Sequence, residues 1–239
     1  MSLQGPDSES AQPIYLVLNC AEETVQVVFG TVERVLWSQQ ALTPGRAMRH
    51  IAPMIKAGLD FISLPAGNLA GVSCVGGPGS FTGIRMAFAH AQGLSLATRI
   101  PMSTISYFEA LIRGPGRIMT GKALILIHSR RRQVYLAGYS LPDLTLTHLP
   151  RNMSLEDLDQ LADLESQKNI HVFGSGLRRN PDLFFPESWN ILPEYWDLPR
   201  PEILLELCAE SAWHLHPLCP EYLRPSDAEE NLHKISSRS

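Results

Sequence analysis

The segment from Val75 to Arg85 has the residue types of an anion-binding turn. Its glycines at positions 77, 79 and 83 permit backbone conformations that other residues rarely adopt. Ser80 or Thr82 could cap a following helix, whose free N–H groups beside Arg85 could hold an anion. The segment lacks the lysine of a P-loop, and its glycine spacing is not that of a dinucleotide fingerprint. Two interpretations stay open: an anion site, or a structural turn that caps a helix.

Two other places could carry metal or phosphoryl-transfer chemistry. Magnesium prefers charged oxygen ligands, but the first apolar run ends at neutral Asn19, with Glu22 and Glu23 as the nearest acids. His214 and His216 lie near Cys219, and a surface pair beside a helix end is the plainer interpretation. The chain has no HExxH motif. The residues argue against two alternatives, a nucleotide-binding phosphotransferase and a metallopeptidase, which an ATPase assay and a metal analysis would separate.

A third group, Gly174-Ser175-Gly176, has a serine between glycines. It does not form the GxSxG nucleophile elbow, and no acid–histidine pair is specified around it. A glycine-lined turn is therefore the expected role, and with Asn19 it could line a cleft. We expect no catalytic residue, no metal and no cofactor.

Composition limits the partners that the chain could bind. Hydrophobic residues make up 44% and charged residues 18% of the 239 residues, as in ordinary globular proteins. The net charge is -4, and the one dense basic cluster, Arg130-Arg131-Arg132, is typical of a solvated strand edge. The four cysteines lack CxxC spacing, which suits a reducing compartment. No apolar run approaches the roughly 18 residues of a membrane span, so we expect a cytoplasmic protein without membrane contact.

Periodicity predicts the elements that position these residues. In the first half, strands are expected over 14–18, 24–30, 32–37 and 70–75, with helices from Pro44 and over 83–97. From Ala123 a similar pattern restarts, with strands over 123–127, 133–139, 144–149 and 171–173 and helices over 154–164 and 201–215. The chain therefore resembles two copies of one α/β unit, as in the two-lobed actin-like, ribonuclease-H-like fold. We expect lobes over 13–114 and 115–225, with 1–12 and 226–239 as flexible tails.

The helix that follows the glycine-rich turn has two rows of small residues. One row, spaced four apart, is Gly83, Ala87, Ala91 and Ser95, and the second is Ala89, Gly93 and Ala97. Small residues in a ridge allow another helix to approach closely. The rows could pack against the protein's own sheet, or they could form an interface with another subunit.

The run Gly-Pro-Gly-Ser-Phe-Thr-Gly-Ile-Arg at 77–85 closely resembles the signature of the TsaB (YeaZ) family, which was once grouped with glycoproteases. Weaker matches follow the same order along the chain: 15–29, 51–55, 101–110, 133–135, 173–176 and 222–225. The resemblance implies an actin-like fold and a non-catalytic subunit that supports TsaD in the N6-threonylcarbamoyladenosine modification of tRNA. It also implies a TsaE-like ATPase in the wider complex, tRNA held through that complex, and a homodimer when the chain is alone.

The resemblance implies which residues matter. The partner interface is expected on the helices of the first lobe, at Met48, Ile51, Ile55, Gly83, Ala87, Ala91 and Ser95. The signature loop consists of Gly77, Pro78, Gly79, Ser80, Phe81, Thr82, Gly83 and Arg85. The chain departs from the family pattern at three points: Asn19-Cys20 stands for Asp-Thr, Ala47 for histidine and His128 for aspartate. These departures place nucleotide or metal binding at the cleft, lined by Asn19, Gly174, Ser175 and Gly176, in doubt.

Overall fold

Each half of the chain builds one five-stranded mixed sheet. The computed structural model describes residues 12–157 and 169–224. The first sheet contains β1 (Tyr15–Asn19), β2 (Thr24–Gly30), β3 (Val35–Leu42), β4 (Gly71–Gly77) and β5 (Met102–Ser106). The second contains β6 (Gly121–Arg130), β7 (Gln133–Leu141), β8 (Thr145–Ser154), β9 (Ile170–Phe173) and β10 (Trp189–Ile191).

The two sheets share one topology. The strand order is β3-β2-β1-β4-β5 in the first and β8-β7-β6-β9-β10 in the second. In both, three antiparallel strands continue into two parallel ones. This repeat confirms the predicted duplicated, two-lobed actin-like fold.

Two helices cover one face of the first sheet. They are α1 (Ala47–Ile62) and α2 (Phe81–Thr98), and they pack on β1, β2 and β4. Leu16 and Leu18 of β1 belong to this core, whereas Val17 belongs to the core on the opposite face. Because β1 is buried on both faces, the sheet needs a second covering layer.

The second layer consists of α3 (Tyr107–Gly116) and α5 (Pro201–Glu210). Ile203, Leu204 and Leu207 of α5 are buried in the same core as Val17 of β1. Beyond α5, Trp213 stacks on Tyr15 with ring centroids 5.3 Å apart. The predicted boundaries of 13–114 and 115–225 therefore do not describe this part, because α5 and the segment after it lie on the first sheet.

Several predicted boundaries are wrong. The third strand covers Val35–Leu42 rather than 32–37, since its ladder with β2 continues through polar residues. In the second lobe β8 runs over Thr145–Ser154 rather than 144–149, and α5 ends at Glu210 rather than at 215. Most of the helix predicted over 154–164 lies outside the described residues, as do nearly all of the predicted tails. Within the described residues, no helix is both long and apolar enough to cross a membrane.

Candidate functional site

The signature loop, residues 77–85, connects β4 to α2 and contacts the end of β1. Ser80 caps α2: its backbone N–H donates to the Ala21 carbonyl at 2.6 Å, and its Oγ accepts from the Gly83 N–H at 3.2 Å. A side chain on Gly79 would collide with the Ala21 carbonyl, and one on Gly83 with the Cys20 carbonyl. The glycines are therefore required for this close approach, which favours the interpretation as a structural turn.

Arg85 has partners that account for its presence in the loop. Its guanidinium lies over the Phe81 ring, 3.8 Å from the centroid. Its Nε donates to the Tyr222 hydroxyl at 2.9 Å, and the rings of Tyr222 and Phe81 are 4.8 Å apart. Arg85 thus holds the segment around Tyr222 against α2.

Residues 217–224, which we name the strap, cross from the first lobe to the second. The Gln92 amide donates to the Leu218 carbonyl at 2.9 Å, and the Glu221 N–H donates to the Gly76 carbonyl at 3.2 Å. At the other end, Arg224 Nε donates to the Tyr135 hydroxyl at 3.2 Å. The strap therefore fastens α2 and β4 to β7.

The cysteines differ sharply in exposure. Cys219 lies exposed on the strap, whereas the other three are buried. Burial raises the pKa of Cys20 and Cys208 to about 12 and raises that of Cys74 well above its usual range. The buried thiols therefore behave as small apolar side chains.

Much of the predicted partner interface is internal. Gly83, Ala87 and Ala91 are buried, and α2 packs with this row on β4 and β1. Ile51 and Ile55 of α1 are buried as well. The expectation that these residues present a docking surface is wrong, because the monomer's own sheet already covers them. An Ala91→Arg substitution would place a charge in the core rather than test docking.

Other predicted interface residues remain accessible. Met48 is exposed, and Ser95 is half-buried with its hydroxyl donating to the Ile100 carbonyl at 2.7 Å. The second small row is exposed, and a side chain at Gly93 would meet no atom within 4 Å. Leu96, on the same side of the helix, is 78% exposed. We name this surface the α2 outer row: Ala89, Gly93, Leu96 and Ala97.

At the cleft between the lobes, Asn19 is 1% exposed and fully engaged. Its Oδ1 accepts from the Ala21 N–H at 3.0 Å, and its Nδ2 donates to Gln26 Oε1 at 2.8 Å. Gln26 in turn donates to the Pro199 carbonyl at 3.0 Å. The neutral amide therefore ties β1 and β2 to the segment that enters α5, and no side-chain carboxylate stands at this position.

Glu22 bridges the two lobes. Its carboxylate accepts from the Tyr107 hydroxyl at 2.9 Å and from the Ser175 hydroxyl. Ser175 Oγ also accepts from the His128 N–H at 2.9 Å. Burial raises the pKa of Glu22 above its ordinary value, although the two hydroxyl donors oppose the rise. Next to it, Glu23 forms an ion pair with Arg179 of the second lobe.

A second acid, Asp197, lies against the glycine turn. The turn leads from β9 into the short helix α4 (Ser175–Arg178). The Gly174 N–H donates to Asp197 Oδ1 at 2.7 Å, and Arg178 Nε donates to Asp197 Oδ2 at 2.8 Å. Burial raises the pKa of Asp197, while these two donors lower it. Glu22 and Asp197 therefore both have hydrogen-bond donors within the protein.

Sequence reasoning found part of this cleft. The structure brings Asn19 and Ser175 to it, as expected, with Gly174 and Gly176 in the turn. It also brings Tyr107 and Asp197, which the sequence analysis missed because no local motif marks them. The rings of His214 and His216 are 4.9 Å apart, and the described residues contain no group of three or more His, Cys, Asp or Glu placed to hold a metal.

The chain is similar to known proteins over most of its length. A sequence model described as TsaD, tRNA N6-adenosine threonylcarbamoyltransferase, matches residues 43–188. A Buchnera aphidicola (Acyrthosiphon pisum) protein named tRNA threonylcarbamoyladenosine biosynthesis protein TsaB is 38% identical over 157 residues, 60% of this chain and 71% of that one. The Bacillus subtilis protein of the same name is 27% identical over 74% of this chain and 79% of its own length.

A solved structure shares the fold. A Pseudomonas aeruginosa protein described as similar to peptidase YEAZ superposes with a TM-score of 0.72 at 23% identity, covering 89% of this chain and all of that one. That description mentions a peptidase, but this chain has no HExxH motif, which is the zinc-binding signature of many metallopeptidases. Sequence and structure agree with the resemblance of the signature loop: the chain belongs to the TsaB (YeaZ) family.

Proposed function

We propose that the chain is a non-catalytic subunit in the biosynthesis of N6-threonylcarbamoyladenosine in tRNA, and that it docks a TsaD-like subunit through the α2 outer row. The names of its TsaB relatives support the pathway. The proposal includes a cytoplasmic complex in which a TsaE-like ATPase takes part and tRNA is held jointly. When the chain is alone, the same row pairs two copies.

The α2 outer row is the observation that carries the docking proposal. Ala89, Gly93 and Ala97 repeat every four residues on the exposed side of one helix. A ridge of such small residues lets a partner helix approach closely, and the exposed Leu96 beside it supplies apolar area.

The acidic cleft supports a non-catalytic role. Glu22 and Asp197 are both engaged by hydroxyl, amide and guanidinium donors within the protein. Because these donors already engage the carboxylate oxygens, Glu22 and Asp197 are not free to coordinate the Mg²⁺ of a bound nucleotide. We therefore expect calorimetric titration with ADP and Mg²⁺ to give no binding heat. Binding with a Kd near 1 μM, which corresponds to about 8 kcal/mol, would contradict the expectation that the cleft holds no nucleotide.

The docking surface can be tested with two matched leucines. Leu96 on α2 and Leu149 on β8 are 78% and 75% exposed. Each would be changed to Glu, and each variant co-expressed with a TsaD-like protein from the same genome. Leu96→Glu should abolish co-elution in size-exclusion chromatography, because a charge buried without a partner costs about 3–5 kcal/mol. Leu149→Glu should co-elute as the wild type does.

Circular dichroism melts of both variants would show whether the fold is intact. Since Leu96 is largely exposed in the monomer, neither variant should lose stability beyond about 0.5 kcal/mol. If Leu96→Glu is folded and still co-elutes with undiminished affinity, the docking assignment is wrong.

A further inference from the structure

The tip of the β6–β7 hairpin carries three consecutive arginines, Arg130-Arg131-Arg132. Arg131 and Arg132 are exposed, and Arg151 is exposed on the neighbouring edge strand β8. Among the described residues, Arg131 and Arg151 have no acidic partner. Arg132 contacts Glu156 at 3.2 Å, but both side chains are more than 60% exposed, so water competes with this pair. The tip therefore offers accessible positive charge.

Arg132 occupies an unusual backbone conformation. Its φ is 58°, in the left-handed region that glycine and asparagine adopt more easily. The side chain is exposed, so no packing of the core explains why an arginine stands there. A residue held in a disfavoured conformation at the surface is a reason to look for a function.

The base of the hairpin is ordered by side chains. Gln133 Oε1 accepts from Arg130 Nε at 2.8 Å and from Asn152 Nδ2 at 3.1 Å. This links β6, β7 and β8 immediately below the tip. The exposed arginines are thus presented from a fixed three-stranded support rather than from a loose loop.

We propose that the hairpin tip, with Arg131 and Arg132 at its end and Arg151 beside it, contacts the phosphodiester backbone of the RNA. The inference rests on the proposed function and adds an RNA-facing surface to it. Leu136, four residues after Arg132, pairs with Arg151, so the arginines spread over about 13 Å along the ribbon. Such a row matches the repeating charges of a nucleic-acid backbone, and guanidinium groups bind phosphate with two hydrogen bonds.

The negative net charge of the chain limits how much the hairpin tip contributes to RNA affinity. With a net charge of -4, the chain as a whole does not attract the phosphates of a nucleic acid. The tip therefore adds a few phosphate contacts to those that the TsaD-like subunit makes. Its effect on RNA affinity is expected in the complex of the two subunits.

The test uses two variants that each lose two exposed arginines, one of them at a positive φ. The hairpin variant is Arg131→Ala with Arg132→Gly. The control is Arg34→Ala with Arg99→Gly, because Arg34 is also exposed at a hairpin turn and Arg99 has φ 62°. Each full-length chain is first checked for co-elution with the TsaD-like subunit. An unmodified tRNA transcript with adenine beside its anticodon is then titrated at several salt concentrations.

The hairpin variant should raise the Kd about three- to tenfold near 0.1 M salt and reduce the slope of log K against log salt by about one to two. The control should stay within about twofold of the wild type. Equal Kd and slope for the two variants would overturn the inference alone. Loss of co-elution by the hairpin variant would also overturn it, because the tip would then contact the TsaD-like subunit instead of RNA. Failure of the wild type to co-elute before RNA is added would overturn the proposed function and this inference with it.

Discussion

Glu22 is a carboxylate that accepts hydrogen bonds from two hydroxyl groups. Because burial raises its pKa, the folded protein retains a proton on Glu22 at pH values where the unfolded chain has released it. Its contribution to stability is therefore fully present below the ordinary value of 4.5 and is lost as the pH rises through the raised value. Asp197, whose pKa is raised in the same direction, adds to this trend.

Replacing Glu22 with glutamine should flatten the dependence of unfolding free energy on pH. The amide that replaces the carboxyl group cannot ionise, but its oxygen still accepts a hydrogen bond from Tyr107 or Ser175. Urea denaturation between about pH 5 and pH 8 would measure the effect. The exposed Glu33→Gln serves as control and should leave the wild-type slope unchanged. An equally steep slope in the Glu22→Gln protein would contradict the assignment.

Only some residues of the cleft were predictable from sequence. Asn19 and Glu22 stood out because they directly follow a strongly apolar strand. Tyr107 and Asp197 reach the cleft from positions 85 residues and more away in sequence, and only the fold brings them together. Nothing in their local sequence distinguishes them from any other tyrosine or aspartate.

Among the elements, α2 contains a matched pair of glycines for a stability experiment. Gly83→Ala should lower the unfolding free energy by about 1–3 kcal/mol, because its methyl group would collide with the Cys20 carbonyl. Gly93→Ala should raise it by about 0.5–1 kcal/mol, since the space around Gly93 is open and alanine favours the helix. Thermal and urea unfolding would measure both. If Gly83→Ala is as stable as the wild type, the described contact of α2 with the Cys20 carbonyl is wrong.

Periodicity located α2 but could not orient it. Small and apolar residues surround this helix on every side, including the exposed Leu96, so no single stripe marks the buried face. The accessible row is therefore Ala89, Gly93 and Ala97, while Gly83, Ala87 and Ala91 of the other row are buried. The polar edge strand β3 was misplaced for a related reason: Ser38, Gln39 and Gln40 pair with β2 without the alternation that identifies a strand.

For the molecule as a whole, the first lobe is incomplete without the end of the chain. Residues 13–114 include the first sheet with α1, α2 and most of α3, but α5 covers β1, β2 and β5 on the other face. A fragment of residues 13–114 should therefore fail to fold, exposing Val17 and Val28 to water. Circular dichroism and thermal unfolding would show no cooperative transition, whereas the full chain should unfold cooperatively. A fragment that melts cooperatively would refute this dependence.

The duplicated topology was predictable because its pattern of strands and helices recurs from Ala123. The crossing of α5 was not, since an apolar helix face does not specify which sheet it covers. Its apolar residues would suit either lobe. Strands buried on both faces require a second layer, but they occur in both sheets and so do not identify the sheet that α5 covers.

Cys219, the one exposed thiol among the four cysteines, is a natural labelling site. Three of its cysteines are sealed among apolar neighbours, while Cys219 faces water on the segment that fastens one lobe to the other. A maleimide dye added to the native protein would accordingly attach at Cys219 alone. The emission of the dye would report changes around the strap when a partner binds. No cysteine would have to be introduced or removed by mutation.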